Sequence, residues 1–141
     1  SGCAVTSIAI GISCSGTEVT MANFDAGKFL NKLNEGGCIE DNGAINWYCS
    51  TITQIAPKVK VIHDERNILS YSDSHKLEVI NKYNVNNNFV IVHFKNNKHP
   101  RGHYVVVSKV NGNNLITKDP SGGKVTTISV SIVDQIVAYS A

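Results

Sequence analysis

The 141-residue sequence lacks the signatures of several large protein classes. It has no CxxC pair and no cysteine–histidine spacing typical of a zinc site, so we expect no metal. It has no basic tract, and its net charge of +2 is spread along the chain, which argues against a nucleic-acid partner. No apolar run approaches the length of a membrane span. These absences leave an ordinary globular domain as the simplest interpretation.

The sequence starts at Ser1 rather than at methionine, and no signal peptide is in view. We therefore expect a processed product, or part of a longer protein with a segment ahead of Ser1. An apolar content of 42% and a charged content of 17% are typical of a globular protein. The length predicts one domain over residues 1–141, with enough chain to bury a core.

The four cysteines have different expected roles. Cys38 and Cys49 are close enough in sequence for a disulfide across a short loop, but the sequence leaves this pairing and the redox compartment open. Cys3 precedes a run that is apolar on nearly every side, which predicts a helix buried all round that also carries Cys14. A thiol in the first turn faces the positive end of the helix dipole, which favours the thiolate. The alternative is that Cys3 is a small buried hydrophobe.

The hydrophobic pattern predicts helices first and strands afterwards. Helical spacing predicts four helices at about 3–15, 20–36 (capped by Thr20), 42–57 and 72–83. Strands are predicted at Lys58–His63, Phe89–Phe94, His103–Val110, Leu115–Lys118 and Lys124–Val130. For the closing segment Ser131–Tyr139 we favour a helix over a strand. The order predicts an α+β domain, with the buried first helix in an N-terminal helical lobe packed on a C-terminal antiparallel sheet.

Among the five histidines, His103 is the best candidate for a general base. It follows Gly102 and opens a very apolar strand, and a strand end holds a side chain rigidly at a rim. The other four are more typical of surface or packing residues: His63, His75, His93 and His99.

Asp119 is the candidate to orient His103, since a histidine base needs a third group that fixes its tautomer. A three-residue loop at 111–113 would place His103 opposite Ser121, with Asp119 as its diagonal neighbour on one face. A two-residue turn would put His103 and Asp119 on opposite faces. The alternative for Asp119 is a turn residue before Pro120.

Three segments, SGCAVTS, GHYVVV and KDPSGG, occur in an order that resembles the bacterial C39-like cysteine peptidases. These are papain-like enzymes, and the family includes the leader-peptide-cleaving domains of bacteriocin exporters. The resemblance extends over most of the chain. It implies a papain-like fold with Cys3 as the nucleophile, His103 as the general base and acid, and Asp119 as the orienting carboxylate.

The resemblance implies a cysteine peptidase that acts through a thioester acyl-enzyme without a metal or organic cofactor. Its substrate would be a leader peptide, a secreted protein or a cell-wall peptide. One departure is that the family usually has a glutamine a few residues before the cysteine, where this chain has only Ser1 and Gly2. The alternatives are therefore a weak or inactive module that binds peptide or cell-wall glycopeptide, and an amidase or transferase with the same trio.

The remaining expectations concern where the protein acts. We expect a monomer that is extracellular or associated with a bacterial cell wall. The alternative is the cytoplasmic domain of an exporter or a phage-encoded protein.

Overall fold

The computed structural model describes residues 2–120 and 123–141. The helices are α1 Gly2–Ser15, α2 Ala26–Glu35, α3 Ser50–Ile55 and α4 Asp73–Tyr83, with one 3-10 turn at Val130–Ile132. The strands are β1 Lys60–Arg66, β2 Phe89–Phe94, β3 His103–Asn111, β4 Asn114–Lys118, β5 Val125–Ser129 and β6 Val133–Ser140. They form one antiparallel sheet in the order β1-β6-β2-β3-β4-β5. None of the helices in this part of the chain has the length and apolarity that crossing a bilayer requires.

The helix α1 packs on one face of the sheet, against β2 and β3, and is buried on nearly all sides as predicted. Gly11 lets the helix approach closely, because a Cβ there would come within 2.2 Å of the Phe89 ring. Each fully buried side chain such as Ile8 contributes roughly 1.5–3 kcal/mol through removal of apolar surface from water. Helix α4 packs against the other face, where a second apolar cluster lies.

Helix α2 begins later than predicted, and its capping residue is different. Asp25 is the N-cap, and its carboxylate accepts a hydrogen bond from the backbone N–H of Lys28. Thr20 is instead tied to the end of α3, where its backbone N–H donates to the carbonyl of Ile55. The helix ends at Gly36 and Gly37, as predicted.

The third helix is much shorter than predicted. The chain from 42 to 49 is folded by turns in which Asn42 and Asn46 accept hydrogen bonds from backbone N–H groups two residues ahead. A disulfide between Cys38 and Cys49 closes this segment, which settles the pairing that the sequence left open. Local asparagine turns therefore override the helical spacing of the apolar residues in this segment.

The predicted closing helix is wrong. After the single 3-10 turn, β6 inserts between β1 and β2 as a central strand, and most of its residues are buried. A central strand covered on both faces is apolar almost throughout, so its pattern does not alternate and resembles that of a buried helix.

Candidate active site

Cys3 lies in the first turn of α1, is partly buried and is a free thiol. No acidic residue lies in that turn, so no carboxylate opposes the positive end of the helix dipole there. Cys14, the other free cysteine, is exposed near the end of α1, where the Lys118 ammonium lies 3.1 Å from its sulfur. The expectation that Cys14 is buried is therefore wrong.

The contacts of α1 place Cys3 near the end of the sheet where β3 begins. One turn after Cys3, the Ser7 hydroxyl donates to the backbone carbonyl of Tyr104 over 3.1 Å. Ala4 and Tyr104 also line one small cavity of about 140 Å³. Since Tyr104 is the second residue of β3, Cys3 and the start of that strand lie at the same end of the molecule.

The structure brings His103 and Asp119 together. The Nε2 atom of His103 lies 2.9 Å from Oδ1 of Asp119, and both residues are buried. Because a carboxylate only accepts hydrogen bonds, this contact puts a hydrogen on Nε2 and leaves Nδ1 of the neutral ring as a proton acceptor. The backbone N–H of Asp119 donates to the carbonyl of Lys124 over 2.7 Å, which holds Asp119 at the turn into β5. The pair has the arrangement of a base and its orienting group.

The predicted loop length in this hairpin is wrong, although His103 and Asp119 still meet. Asn111 pairs with Asn114, so the turn has two residues rather than three. Ser108 is then left unpaired in a β-bulge, which shifts the register of β3 by one residue. Beyond the bulge the register equals the one that the three-residue loop would give. The predicted partner Ser121 lies outside the described residues.

A ring stack covers His103. The imidazole of His99 lies parallel to it, with the ring centroids 4.0 Å apart and the planes at 7°. Phe94 contacts His103 edge-on at 5.9 Å. Burial is the main cause that lowers the pKa of His99; the neighbouring His103 lowers it further, and the Asp119 carboxylate opposes the shift. His99 was predicted only as a surface or packing residue, because its position in a loop before Pro100 carries no periodic signal.

The atoms of His99, His103 and Asp119 that could ligate a metal all lie within 4.8 Å of one another. A bound ion must lie close to the plane of each imidazole ring that ligates it. Two rings that are stacked almost parallel have no such common point, so one ring would have to turn. The observed arrangement therefore suits a covered base better than a metal site.

Cys3 and His103 belong to different sides of the sheet at this end. Alternation along β3 puts Tyr104 on the α1 face, where its ring contacts Trp47 at 5.1 Å, and puts His103 opposite it beside Phe94. Within the described residues, no hydrogen bond joins Cys3 to His103. The structure thus unites two of the three predicted residues, and their contact with Cys3 stays a prediction.

A second histidine–aspartate pair lies on the α1 face. Nδ1 of His93 lies 2.5 Å from Oδ1 of Asp134, and the His93 ring packs on Tyr104 with centroids 4.6 Å apart. Its Nε2 lies so close to Gly102 that a Cβ there would come within 2.1 Å of it. Gly102 also has a φ of +102°, a conformation that other residues rarely adopt. His93 was expected only to pack in its strand, so the pairing is a finding of the structure.

Tyr104 begins a chain of hydrogen bonds on the same face. Its hydroxyl donates to Oε1 of Gln135 over 3.0 Å, and Nε2 of Gln135 donates to Oδ1 of Asp64 over 3.2 Å. The other oxygen of Asp64 pairs with Arg66 at 3.2 Å. Burial raises the pKa of Tyr104 to about 12, so the hydroxyl keeps its proton at neutral pH.

The chain is similar to known proteins in its fold and in its sequence family. No curated protein matches the sequence. A crystal structure of a Bacillus anthracis protein assigned as a C39-like peptidase is similar over 99% of this chain and 88% of that one, with a TM-score of 0.55 and 12% identity. That likeness shows the fold, which is α+β and papain-like. The model of the Peptidase_C39 like family matches residues 1–139. The chain therefore belongs to the Peptidase_C39 like family.

Proposed function

We propose that this chain is a papain-like cysteine peptidase in which Cys3 is the nucleophile, His103 the base and acid, and Asp119 the orienting carboxylate. The observation that carries the proposal is the buried His103–Asp119 pair at the end of the sheet where α1 begins. Membership of the Peptidase_C39 like family supports it. The free thiol of Cys3 in the first turn of α1 supplies a nucleophile at the same end.

The proposed reaction has two halves. The Cys3 thiolate attacks the peptide carbonyl carbon, and the oxyanion accepts hydrogen bonds from backbone N–H groups at the start of α1, including that of Cys3. His103, holding the proton taken from the thiol, gives it to the leaving amine as the C–N bond breaks. Water then attacks the thioester, His103 takes a proton from it, and the C–S bond breaks to release the acid and regenerate the thiol.

This mechanism requires His103 to reach Cys3. Because His103 is the first residue of β3, its ring has only to pass the end of the strand rather than to cross the sheet. Nδ1 is the nitrogen that would meet the thiol, since Nε2 is bonded to Asp119. The mechanism also requires Asp119 to follow the ring, so that its carboxylate stabilises the imidazolium.

A second candidate function is a module that binds peptide or cell-wall glycopeptide without cleaving it. It is favoured by the position of Cys3 and His103 on opposite sides of the sheet. In that case His103 and Asp119 would contribute to binding or stability only.

Alkylation by iodoacetamide separates the two candidates. The exposed Cys14 is first changed to Ser, so that Cys3 is the one free thiol in both proteins compared. An enzyme should be labelled rapidly even near pH 6, and His103→Ala should remove that labelling while leaving the melting temperature within a few degrees. Identical, slow labelling of both proteins that rises only at alkaline pH would contradict the peptidase and favour the binding module.

We also propose that the protein acts as a monomer outside the cell or at a bacterial cell wall. The Cys38–Cys49 disulfide supports an oxidising compartment and disfavours the cytoplasmic alternative. Thiol mapping by mass spectrometry on protein from its native compartment tests this location, since reduced Cys38 and Cys49 there would contradict it.

A further inference from the structure

We infer that the cleft beside the His93–Asp134 pair binds an acidic side chain of the peptide substrate, an inference that rests on the proposed function. The cleft has a volume of about 860 Å³ and lies where β1 and β2 end and β6 begins. That volume is in the range of ligand sites in proteins, roughly 300–1,000 Å³. Its lining includes five charged or hydrogen-bonding side chains: Arg66, His93, Lys95, Asp134 and Gln135.

Lys95 is the cation of the cleft lining that no described carboxylate balances. Lys95 is exposed and, within the described residues, makes no hydrogen bond or ion pair. Arg66 uses Nε and Nη2 on Asp64, which leaves the Nη1 edge of its guanidinium available to a ligand. Asp134, the carboxylate of the lining, already contacts Nδ1 of His93. A ligand carboxylate would therefore meet the unpaired ammonium of Lys95 and the free edge of Arg66, while Asp64 and Asp134 are already engaged by Arg66 and His93.

Hydrogen bonds hold the wall of the cleft in place. Asp64 binds Arg66 with one oxygen and accepts from Gln135 with the other, so a guanidinium and an amide from β1 and β6 are fixed by one carboxylate. Gln135 in turn accepts from the Tyr104 hydroxyl. Groups fixed before the ligand arrives lose little conformational entropy on binding, which favours recognition here.

The cleft is next to the small cavity near the end of α1 that carries Cys3. Arg66 lines both this cleft and the small cavity that Ala4 and Tyr104 share. A peptide with its scissile bond at Cys3 could therefore extend past Arg66 into the cleft. The acidic residue would then lie within a few residues of the bond that is cleaved.

The test is a peptide selection with the Cys3→Ala protein, so that binding is read without cleavage. The probe is a mixture of random hexapeptides with either Glu or Gln at one fixed position, that position being varied between pools. We expect retention of the Glu peptides over their Gln counterparts by about three- to tenfold for at least one position, falling as salt rises from 50 to 500 mM. Lys95→Gln and Arg66→Gln should each reduce the ratio, and the double change should bring it near one.

Lys109→Gln is the matched control, because Lys109 is equally exposed but lies near the opposite end of β3. It should keep the full Glu preference. Equal retention of Glu and Gln peptides at every position, or a preference that both cleft changes leave intact, would overturn the inference. Since the selection uses a protein without the nucleophile, a failed alkylation test would leave its result readable, and a failed selection would leave the peptidase proposal standing.

Discussion

The two histidine–aspartate pairs offer a comparison within one sheet. His103–Asp119 and His93–Asp134 lie at the same end but on opposite faces, and both join an imidazole to a carboxylate at 2.5–2.9 Å. The side chains of the first pair are 6% and 12% exposed, and those of the second 16% and 23%. The first is covered by His99 and Phe94, whereas the second opens into a cleft. Because both histidines have an aspartate partner, pairing alone does not identify a catalytic base, and the difference in exposure and cover is needed to distinguish them.

The two pairs differ in their position relative to α1. The pair that the family resemblance selects lies across the sheet from α1, and the pair that it ignores shares the α1 face with Tyr104. Burial and a fixed tautomer favour the first pair as the base. Position relative to Cys3 favours the second, because no strand separates it from α1.

Removing each imidazole should give the largest difference between the pairs. We expect His103→Ala to lower kcat/KM by at least about 10³-fold, as loss of a base in a catalytic triad does. His93→Ala should lower it less than about tenfold, mainly by raising KM for acidic peptides. The measurement is turnover of the peptide that the wild type cleaves fastest in a mixed library, with melting temperatures as the control for folding. A larger loss of kcat/KM in His93→Ala than in His103→Ala would indicate that His93, on the α1 face, is the base.

Changing each carboxylate to its amide should give a smaller but more specific difference. Asp119→Asn keeps the shape of the side chain but can present an N–H to His103, so we expect kcat to fall by about 10²–10⁴-fold. Asp134→Asn should change kcat by less than about fivefold. Both proteins should melt near the wild-type temperature, since each keeps a polar partner. An equal loss of kcat in Asp119→Asn and Asp134→Asn would show that the two histidine–aspartate pairs do not differ in role.

The sequence could predict the first pair but not the second, for a physical reason. His103 and Asp119 are 16 residues apart at the two ends of one hairpin, so the length of its turn and the alternation along its strands are enough to test whether they share a face. His93 and Asp134 are 41 residues apart, and they meet because β6 inserts beside β2. A helix was predicted where β6 lies, so no local pattern could bring Asp134 to His93.

Other parts of the fold also divide into elements that a local sequence pattern predicts and elements that it does not. Strand β2, whose apolar run lies between turn residues, was predicted with its exact bounds, and α4 was missed by one residue at its Ser72 cap. The third helix was overextended because the spacing of Ile45 and Tyr48 is helical, while asparagine turns and the disulfide decide the conformation. The predicted register of β3 against β4 at Val106 and Val107 was right through compensation, since a two-residue turn and a bulge at Ser108 together equal a three-residue loop.

The smallest expected effect concerns His99, whose imidazole stacks on His103 of the first pair, whereas His93 of the second pair packs on Tyr104. Burial lowers its pKa below the ordinary 6.5, so between that lowered value and 6.5 the unfolded chain binds more protons than the folded one. His99 therefore costs stability as the pH falls through this window. In His99→Asn that cost should disappear, so the loss in melting temperature from pH 7.5 to 5 should be about 1–2 °C smaller than in the wild type. The control is His75→Asn, since His75 is exposed on α4 and stacks on Tyr71 instead. An equal pH dependence in the wild type and His99→Asn would mean that burial in the stack does not disfavour the protonated form of His99.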